Sequence, residues 1–519
     1  MTQAVYPKAI IEAWNGTSYD DISKDVVSEI SCTYGIRGND INDRVASVGE
    51  LKFTLRNDTG CIGGVENYYT PNTLNTKLGW MKSIPIRLSF TYRTERVTKF
   101  TGHIAELNID LENKRVEVLV KDWLDYAEKF PMKLMSYAEN KNIGEVTDLI
   151  LSGISIQPAN KSYGIGSNTF TSIFDTVKNR TKALGEFQKL ALSEMGFIYI
   201  RNDPRNGETL KVDGMTTRNG NAVNQVPTLD YLITQSLDYL ITQSGDRLLI
   251  IEAQDADMNN RAYEVDFTYG DRIVNIINAK YYPRKIDTTE QVLYSLDKAI
   301  YLPAYGTTKI EVDYKDPANQ SSSVAGKNMV NPVTTTDYLM NTLESGSGTD
   351  LTGNLIVSAT YYATSISYNL TNSGATAGYI TKLQARGYGI YLYNPTDYNA
   401  SDNISSIPSY GELETSLDLK YLNDPTRAKH YADNLLSLLR FPAVNVNSFS
   451  FLANRSEKDL LHFMYLDCGD MLQIVDDKVD VTSYAFSYYY INGIEFTVTQ
   501  GGLIKFTWIV VQANQNVFD

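Results

Sequence analysis

Residues 102–122 read GHIAELNIDLENKRVEVLVKD. Apolar and polar side chains alternate from Gly102 to Asp110, the tight connection Leu111-Glu112-Asn113-Lys114 follows, and alternation resumes from Arg115 to Val120. A period of two sends successive side chains to opposite faces of a strand, so two such runs around a short turn predict a β-hairpin. Upstream, Glu50 to Leu55 sets Leu51, Phe53 and Leu55 on one face, and Ile84 to Tyr92 does the same for Ile84, Ile86, Leu88 and Phe90. With turn residues recurring between these runs, the pattern from Ala9 to Tyr126 predicts a β-barrel or sandwich of about 120 residues, ending in a helical segment from Asp122 to Phe130.

Downstream the period changes. Leu184, Phe187, Ala191 and Met195 have helical spacing within Lys182 to Met195, with Gly196 as the expected stop. Phe197 to Ile200 and Thr209 to Val212 flank Asn202-Asp203-Pro204-Arg205-Asn206-Gly207, which predicts a helix packed on a hairpin. Leu229 to Ser236 (LDYLITQS) recurs unchanged as Leu237 to Ser244. Two short copies do not make a solenoid, and a duplication within a tolerant surface loop is expected. Strands resume at Leu248 to Glu252, Ala262 to Phe267 and Val274 to Tyr282. Residues 316–376 are rich in Ser, Thr, Asn and Gly, the composition of an exposed insertion or linker, although Asn354 to Ser367 and Ile380 to Tyr393 keep strand character. Asp424-Pro425 opens a helix whose stripe is Ala428, Tyr431, Ala432, Leu435, Leu438 and Leu439, until Pro442. Strands are expected at Val446 to Leu452, Met471 to Val475, Tyr484 to Asn492, Ile494 to Thr499 and Leu503 to Val511, the last two joined at Gln500-Gly501-Gly502. A second barrel closed by a helix is the economical reading.

The chain has 519 residues, 43% hydrophobic and 21% charged, which suits roughly three or four folded domains rather than a disordered chain. Tyrosine is abundant at 37 and histidine scarce at three, a balance that favours strands and interfaces over acid-base or metal chemistry. The net charge is −14 with no lysine or arginine run, which disfavours electrostatic clamping of nucleic acid. Cys32, Cys61 and Cys468 are too few and too scattered for a disulfide framework or a zinc site and read as free, buried thiols. The N-terminus lacks a continuous apolar run and no stretch nears the roughly 18 apolar residues of a membrane span, so synthesis and folding in the cytosol without a membrane anchor are expected.

Several strings in one order resemble the minor tail and hub proteins of long-tailed phages. They are Asp21-Ile22-Ser23-Lys24-Asp25-Val26-Val27; Val48 to Asp58; Ile84-Pro85-Ile86-Arg87-Leu88; Phe100-Thr101-Gly102-His103-Ile104; and Val116 to Asp122. Ala183 to Ala191 with Met195-Gly196-Phe197-Ile198-Tyr199 and Leu210-Lys211-Val212 is similar to that family's helix and hairpin. Leu466-Asp467-Cys468-Gly469-Asp470-Met471-Leu472-Gln473-Ile474, then Tyr490-Ile491-Asn492-Gly493-Ile494-Glu495-Phe496, resembles its final barrel. The likeness covers about half the chain and leaves residues 300–420 without a counterpart.

What the resemblance implies is a mainly β fold with a few helices: two hub-type β-barrels, a helix-hairpin domain and an inserted β-rich region. The expected division is 1–130 for the first barrel, 131–245 for the helix and hairpin with the duplicated loop, 246–315 for a strand-rich continuation of the core, 316–420 for the polar insertion, and 421–519 for the helix and second barrel. The implied function is that of a structural virion protein, not an enzyme. It is a homotrimer of two similar barrels per subunit that joins the tail tube to the distal tip around the DNA exit channel. The implied partners are a distal tail or tail tube protein, the tape measure protein, and tail fibre or tip proteins, with transient passage of DNA; from net charge alone, the inner wall is expected to be acidic and to let DNA pass without specific binding. A receptor-binding tail adhesin holding sugar on residues 316–420, a tail-associated cell-wall hydrolase, and a hexameric distal tail protein are the competing readings.

Each candidate for chemistry has a plainer explanation. Asp476, Asp477 and Asp480 lack the alternating oxygen ligands and closing glutamate of a calcium loop and read as a solvated turn. His462, Asp467 and Cys468 are close in sequence without a nucleophile-elbow pattern, which suggests a buried cysteine beside a turn. Gly346, Gly348 and Gly353 lack a strand-helix unit, and Gly326-Lys327 is followed by Asn328 without a phosphate-loop glycine, so both read as loops. Glu186 and Glu194 share a helix with Lys182 and Lys189 and read as a solvated face. Trp14, Trp80, Trp123, Trp508, Tyr68-Tyr69, Tyr361-Tyr362 and Tyr488-Tyr489-Tyr490 read as core or subunit-interface packing rather than a sugar platform. No catalytic, cofactor-binding or metal-ligating residue is assigned, and no cofactor is expected.

Overall fold

The computed structural model describes residues 5–513 except 39, 165, 178–179, 204–206, 216, 219–224, 232–248, 256, 393 and 476–487, with backbone alone for 225–231 and 249–255. The expected duplicated loop therefore lies outside the described residues, apart from the backbone of 229–231, as do Asp476, Asp477 and Asp480.

The alternating runs form one large antiparallel sheet. Its order is Glu264–Tyr269, Val444–Leu452, Ile504–Gln512, Tyr488–Val498, Ile30–Gly35, Ser47–Arg56, Arg115–Lys121, Glu95–Asp110, Pro85–Tyr92, Lys8–Trp14 and Tyr19–Asp21, with Met471–Gln473 also on Tyr488–Val498. The hairpin around residues 111–114 forms as expected, from Asp110↔Arg115 to His103↔Lys121. Leu51, Phe53, Leu55, Ile86, Leu88 and Phe90 are buried. Register shifts at Leu88/Ser89 and Ile104/Glu106 bend the long strand Glu95–Asp110, so that it pairs with Pro85–Tyr92 at one end and Arg115–Lys121 at the other.

The two expected barrels do not stand apart. Ile30–Gly35 pairs with Tyr488–Val498 from Ile30↔Val498 to Gly35↔Gly493, so strands from both chain ends share one ladder. The two strands expected at Tyr484 to Asn492 and Ile494 to Thr499 are a single strand, Tyr488–Val498, because a bulge between Ile491 and Gly493 absorbs the break in alternation. Helix Glu457–Tyr465, absent from the sequence reading, covers this seam: the Phe463 ring lies 5.0 Å from Phe90 and 5.2 Å from both Phe496 and Phe506. Each such ring pair contributes about 0.5–1.5 kcal/mol beyond the area it buries.

Helix Pro425–Leu439 starts where expected, with the Asp424 carboxylate accepting from Thr426 N and proline in the first turn. It does not close the large sheet. Its stripe Ala428, Tyr431, Ala432 and Leu435 packs on Ile277, Ala279, Leu417 and Leu419 of a separate sheet made of Thr396–Ser401, Ile276–Tyr281 and Glu414–Leu419. The parallel pairing of Ile276–Tyr281 with Glu414–Leu419 requires a long crossover. That crossover holds the polar segment, which forms a β-rich insertion, as expected, and not the alternative linker. Gly378–Leu392 is a spine that pairs with Arg284–Ile286, Gln291–Ser295, Ile300–Leu302, Ala325–Lys327 and Tyr338–Asn341. A further sheet, Thr307–Asp313, Ser365–Asn372 and Leu355–Tyr361, closes over a core containing Leu293, Tyr314, Tyr368, Ile380 and Leu383. Serine and threonine fit because they occupy the outer positions of strands such as Leu355–Tyr361, where inner and outer residues alternate. The strands at 284–302, placed by the sequence with a core-continuing segment, thus pair inside this body, and Gly326-Lys327 lies in a strand rather than a loop.

The helix expected at Lys182 to Met195 is Ala183–Glu194. Met195, rather than Gly196, takes the left-handed conformation at its end with φ 56°. The expected hairpin is Phe197–Asp203 with Gly207–Asp213, joined by a parallel strand Asn160–Tyr163. Helix Ile143–Ser152 starts from a capping box of Asn142 and Glu145.

Candidate functional site

The Gly-Asp turn of the sequence reading, Asp467-Cys468-Gly469-Asp470, lies where the large sheet, the hairpin and helix Glu457–Tyr465 converge. Asp467 is fully buried and Lys99 is 1% exposed. Lys99 Nζ donates to Leu466 O at 2.7 Å and lies 3.5 Å from Asp467 Oδ2. Tyr34 Oη and Asn202 N donate to the same oxygen at 3.2 and 3.3 Å, and Cys468 N donates to Asp467 Oδ1 at 2.7 Å. A carboxylate removed from water in this way is held by donors from four separate chain segments. Asp470 closes the turn by accepting from Asp467 N at 2.8 Å and takes both Nη atoms of Arg201, at 2.5 and 3.1 Å. Burial drives the Asp470 carboxyl upward, partly offset by Arg201. Burial alone would lower the Arg201 guanidinium, and Asp470 with Asp467 reverses that and raises it.

Beside this turn a second pair is buried on the hairpin. Asp213 Oδ2 accepts from Tyr199 Oη at 2.7 Å and Arg218 Nε at 3.2 Å, while Arg218 Nη1 donates to Asn492 Oδ1 at 2.7 Å. The Arg218 guanidinium also sits 4.0 Å from the centre of the Phe197 ring. Two glycines let these parts touch. Gly469 has φ 86°, and a Cβ there would stand 1.8 Å from Tyr199 Oη. Gly35 has φ 93°, and a Cβ there would meet Asn492 O at 2.5 Å and Cys468 Sγ at 2.7 Å.

A third buried group lies at the end of Arg115–Lys121. Asp122 N donates to Gly49 O at 3.1 Å, and burial raises the Asp122 carboxyl to about 7. Glu208 is raised to about 8, by burial and then by the charge of Asp122. His103 Nε2 lies 3.1 Å from Asp125 Oδ2, its ring stacked on Tyr126 at 4.1 Å. Burial lowers the His103 imidazole, against the pull of Asp125.

The residues weighed for chemistry fall into this packing. His462 and Cys468 are both buried, but His462 Nδ1 donates to Lys458 O at 2.7 Å and burial holds its imidazole at about 4. The Cys468 thiol is pushed up by burial, far from the thiolate a nucleophile needs. All three cysteines are free and buried. Glu186 and Glu194 are not on a solvated face: both are fully buried. The reason is that their helix is covered on a second side, where Glu186 accepts from Tyr421 Oη and Glu194 Oε1 accepts from Ser167 N at 2.6 Å. The pairing of Glu186 with Lys189 at 2.6 Å does form. Trp80, Trp123, Trp508, Tyr69, Tyr489 and Tyr490 are buried and pack within the chain. Gly353 lies in a short 3-10 turn, Thr352–Asn354. Among the described residues no group of three or more His, Cys, Asp or Glu is placed to hold a metal ion, and no helix is long and apolar enough to cross a membrane. Sequence reasoning missed Lys99 and Arg201, which carry no local signal because their partners are remote in the chain, and it missed Asp213 and Arg218, which pair with each other across a five-residue spacing that has no meaning outside a helix.

No family model matches the chain, and neither does any curated protein. Among solved structures it is similar to the 43 kDa tail protein of prophage MuSo2 from Shewanella oneidensis, with TM-score 0.47 and 7% identity over 98% of this chain and 99% of that one. It is similar to a tail protein from Neisseria meningitidis MC58, with TM-score 0.45 and 6% identity over 98% of this chain and 99% of that one. A chain of the Francisella PdpA-VgrG complex is similar with TM-score 0.38 and 10% identity, over 98% of this chain and 52% of that one.

Proposed function

We propose that this chain is a non-enzymatic structural protein of a phage tail, a hub or tip subunit that assembles as a homotrimer between the tail tube and the distal tip. The observation that supports it is the meeting of the motifs that resemble tail hub proteins, which are far apart in the sequence. Gly49 packs on Asp122, where a Cβ would lie 2.5 Å from Oδ2, Gly35 packs on Cys468 and Gly493, and Gly469 packs on Tyr199. Tyr34 bonds to Asp467. Motifs that resemble a family in their order because they share its fold are expected to meet in the core, and catalytic residues would instead converge on an accessible cleft. Most of the polar groups gathered here bond to one another and are closed to water, with Asp122 Oδ2, Asn202 Oδ1, Asp213 Oδ1 and Arg218 Nη2 lacking a hydrogen-bond partner among the described residues, an arrangement that suits a packed junction more than an accessible cleft. In this reading the ring continues the tail tube, contacts a distal tail or tube protein and the tape measure, and lets DNA pass along an acidic wall.

The test is mass spectrometry of gradient-purified virions combined with antibody-gold labelling of intact particles. The protein is expected in virions at a few copies and at the tail end away from the head; its absence from purified virions would refute the reading. Binding of specific sugars on a glycan array by the whole chain would favour the adhesin reading instead.

A further inference from the structure

The large sheet ends in an open edge. Among the described residues Glu264–Tyr269 has a single neighbouring strand, Val444–Leu452. Free edges usually carry lysine, proline or a cover, because unpaired backbone N–H and C=O groups invite another strand. The sequence of this one, Tyr263-Glu-Val-Asp-Phe-Thr-Tyr269, has neither lysine nor proline, and Phe267 and Tyr269 are 44% and 71% exposed. Its charge is one-sided. Glu264 and Asp266 are exposed and form no ion pair among the described residues; Asp266 accepts only from Asn447 Nδ2, at 3.3 Å.

The edge runs directly into a cavity of about 230 Å3. Asp40, Asp43 and Asp271 line one part of it and Val274, Leu435 and Leu439 another. Two guanidiniums line it as well: Arg44, which donates to Ile41 O and Met195 O, and Arg272, which donates to Asn447 Oδ1 and whose charge acts on Asp271 and Asp40. The cavity thus holds its own cations, and the unmatched charge lies on the edge itself, at Glu264 and Asp266.

We propose that the edge Glu264–Tyr269 is a docking site for an extended basic segment of a partner polypeptide, which adds a strand to the sheet and sets its lysines or arginines against Glu264 and Asp266. Backbone pairing supplies the register and the row of carboxylates selects the charge, the division of labour found when peptides add to sheet edges. Charge complementarity argues against a second copy of this edge as the occupant, since two such edges would set Glu264 and Asp266 against their own kind. The proposal does not depend on the ring: it holds for a monomer as well.

Fluorescence anisotropy on the full chain would test it, using as probe a short labelled peptide that alternates lysine and valine. Binding is expected at low salt, about tenfold weaker when alternate valines are replaced by proline, which cannot pair. The glutamate-for-lysine version should not bind, and the double variant E264K/D266K, checked for folding by circular dichroism, should exchange the two preferences. Equal binding of the proline peptide would reduce the contact to surface charge and overturn the proposal. So would no detectable binding, or unchanged binding by the folded double variant.

Discussion

The junction at Asp467 and the β body between Arg284 and Leu392 differ in how much charge they bury. At the junction Lys99, Asp467, Arg201, Asp470, Arg218 and Asp213 are taken out of water and matched to one another. In the body the core is mainly apolar, with Tyr314, Met340, Tyr368, Ile380 and Leu383, and its buried polar groups are mostly uncharged, Ser365, Ser367 and Asn372 beside the Asp337 that Arg386 holds. The difference teaches where each region tolerates change. Buried ion pairs stabilise little in net terms, yet removing one partner strands the other charge, whereas an outer threonine on a strand has water as a substitute partner.

Glycine substitutions should separate the two regions most sharply. Gly469→Ala forces a Cβ onto Tyr199 Oη at a positive φ and is expected to destabilise by more than about 4 kcal/mol in urea unfolding. Gly353→Ala, with nothing within 4 Å of the added carbon, should remain within about 0.5 kcal/mol. Equal effects would erase the distinction. Next, Arg201→Met leaves Asp470 buried without its cation and is expected to lose about 3–5 kcal/mol, with Asp470→Leu added in the same chain recovering part of that loss. Additive losses would show that the two residues act separately.

A smaller effect depends on pH. Glu208 has its folded value raised to about 8, so the folded state binds a proton that the unfolded chain releases near pH 4. Its contribution is present below the unfolded value and is lost as pH rises toward 8. Glu208→Gln removes that loss and should raise stability by roughly 1–3 kcal/mol at pH 8.5 relative to its effect at pH 5. A gain that is the same at both pH values would mean that Glu208 is ionised throughout. The smallest effect is expected in the β body, where the exposed Thr307 and Thr371 hydroxyls lie 3.0 Å apart. Thr307→Ala should shift stability by less than about 0.5 kcal/mol in the same denaturation series.

The sequence made the large sheet legible because strict alternation, as in Leu51-Phe53-Leu55 and 102–120, reports a strand with one buried face. It left the joining of the two chain ends illegible, since the pairing of Ile30–Gly35 with Tyr488–Val498 is a long-range choice that no local period encodes. Composition misled once and left one choice open. Glu186 and Glu194 sit at polar helix positions but are covered by residues that arrive from beyond 420 and from 167. For residues 316–376 it left insertion and linker open, because their strands carry Ser and Thr outward, while the inward set of Tyr338, Met340, Ile366, Tyr368 and Leu370 is sparse enough to be diluted in any average. The Gly-Asp turn was visible as a motif, but its partners Lys99 and Arg201 were not, because a buried ion pair leaves no spacing in the chain.

Ring assembly is most directly tested by imaging the purified chain and its complex in virions at a resolution that reveals rotational symmetry, with native mass on the same sample. Expected is a threefold particle of three 58.2 kDa subunits with quasi-sixfold features in its β ring. A chain that stays monomeric in solution and shows no threefold density at the tail end would contradict it.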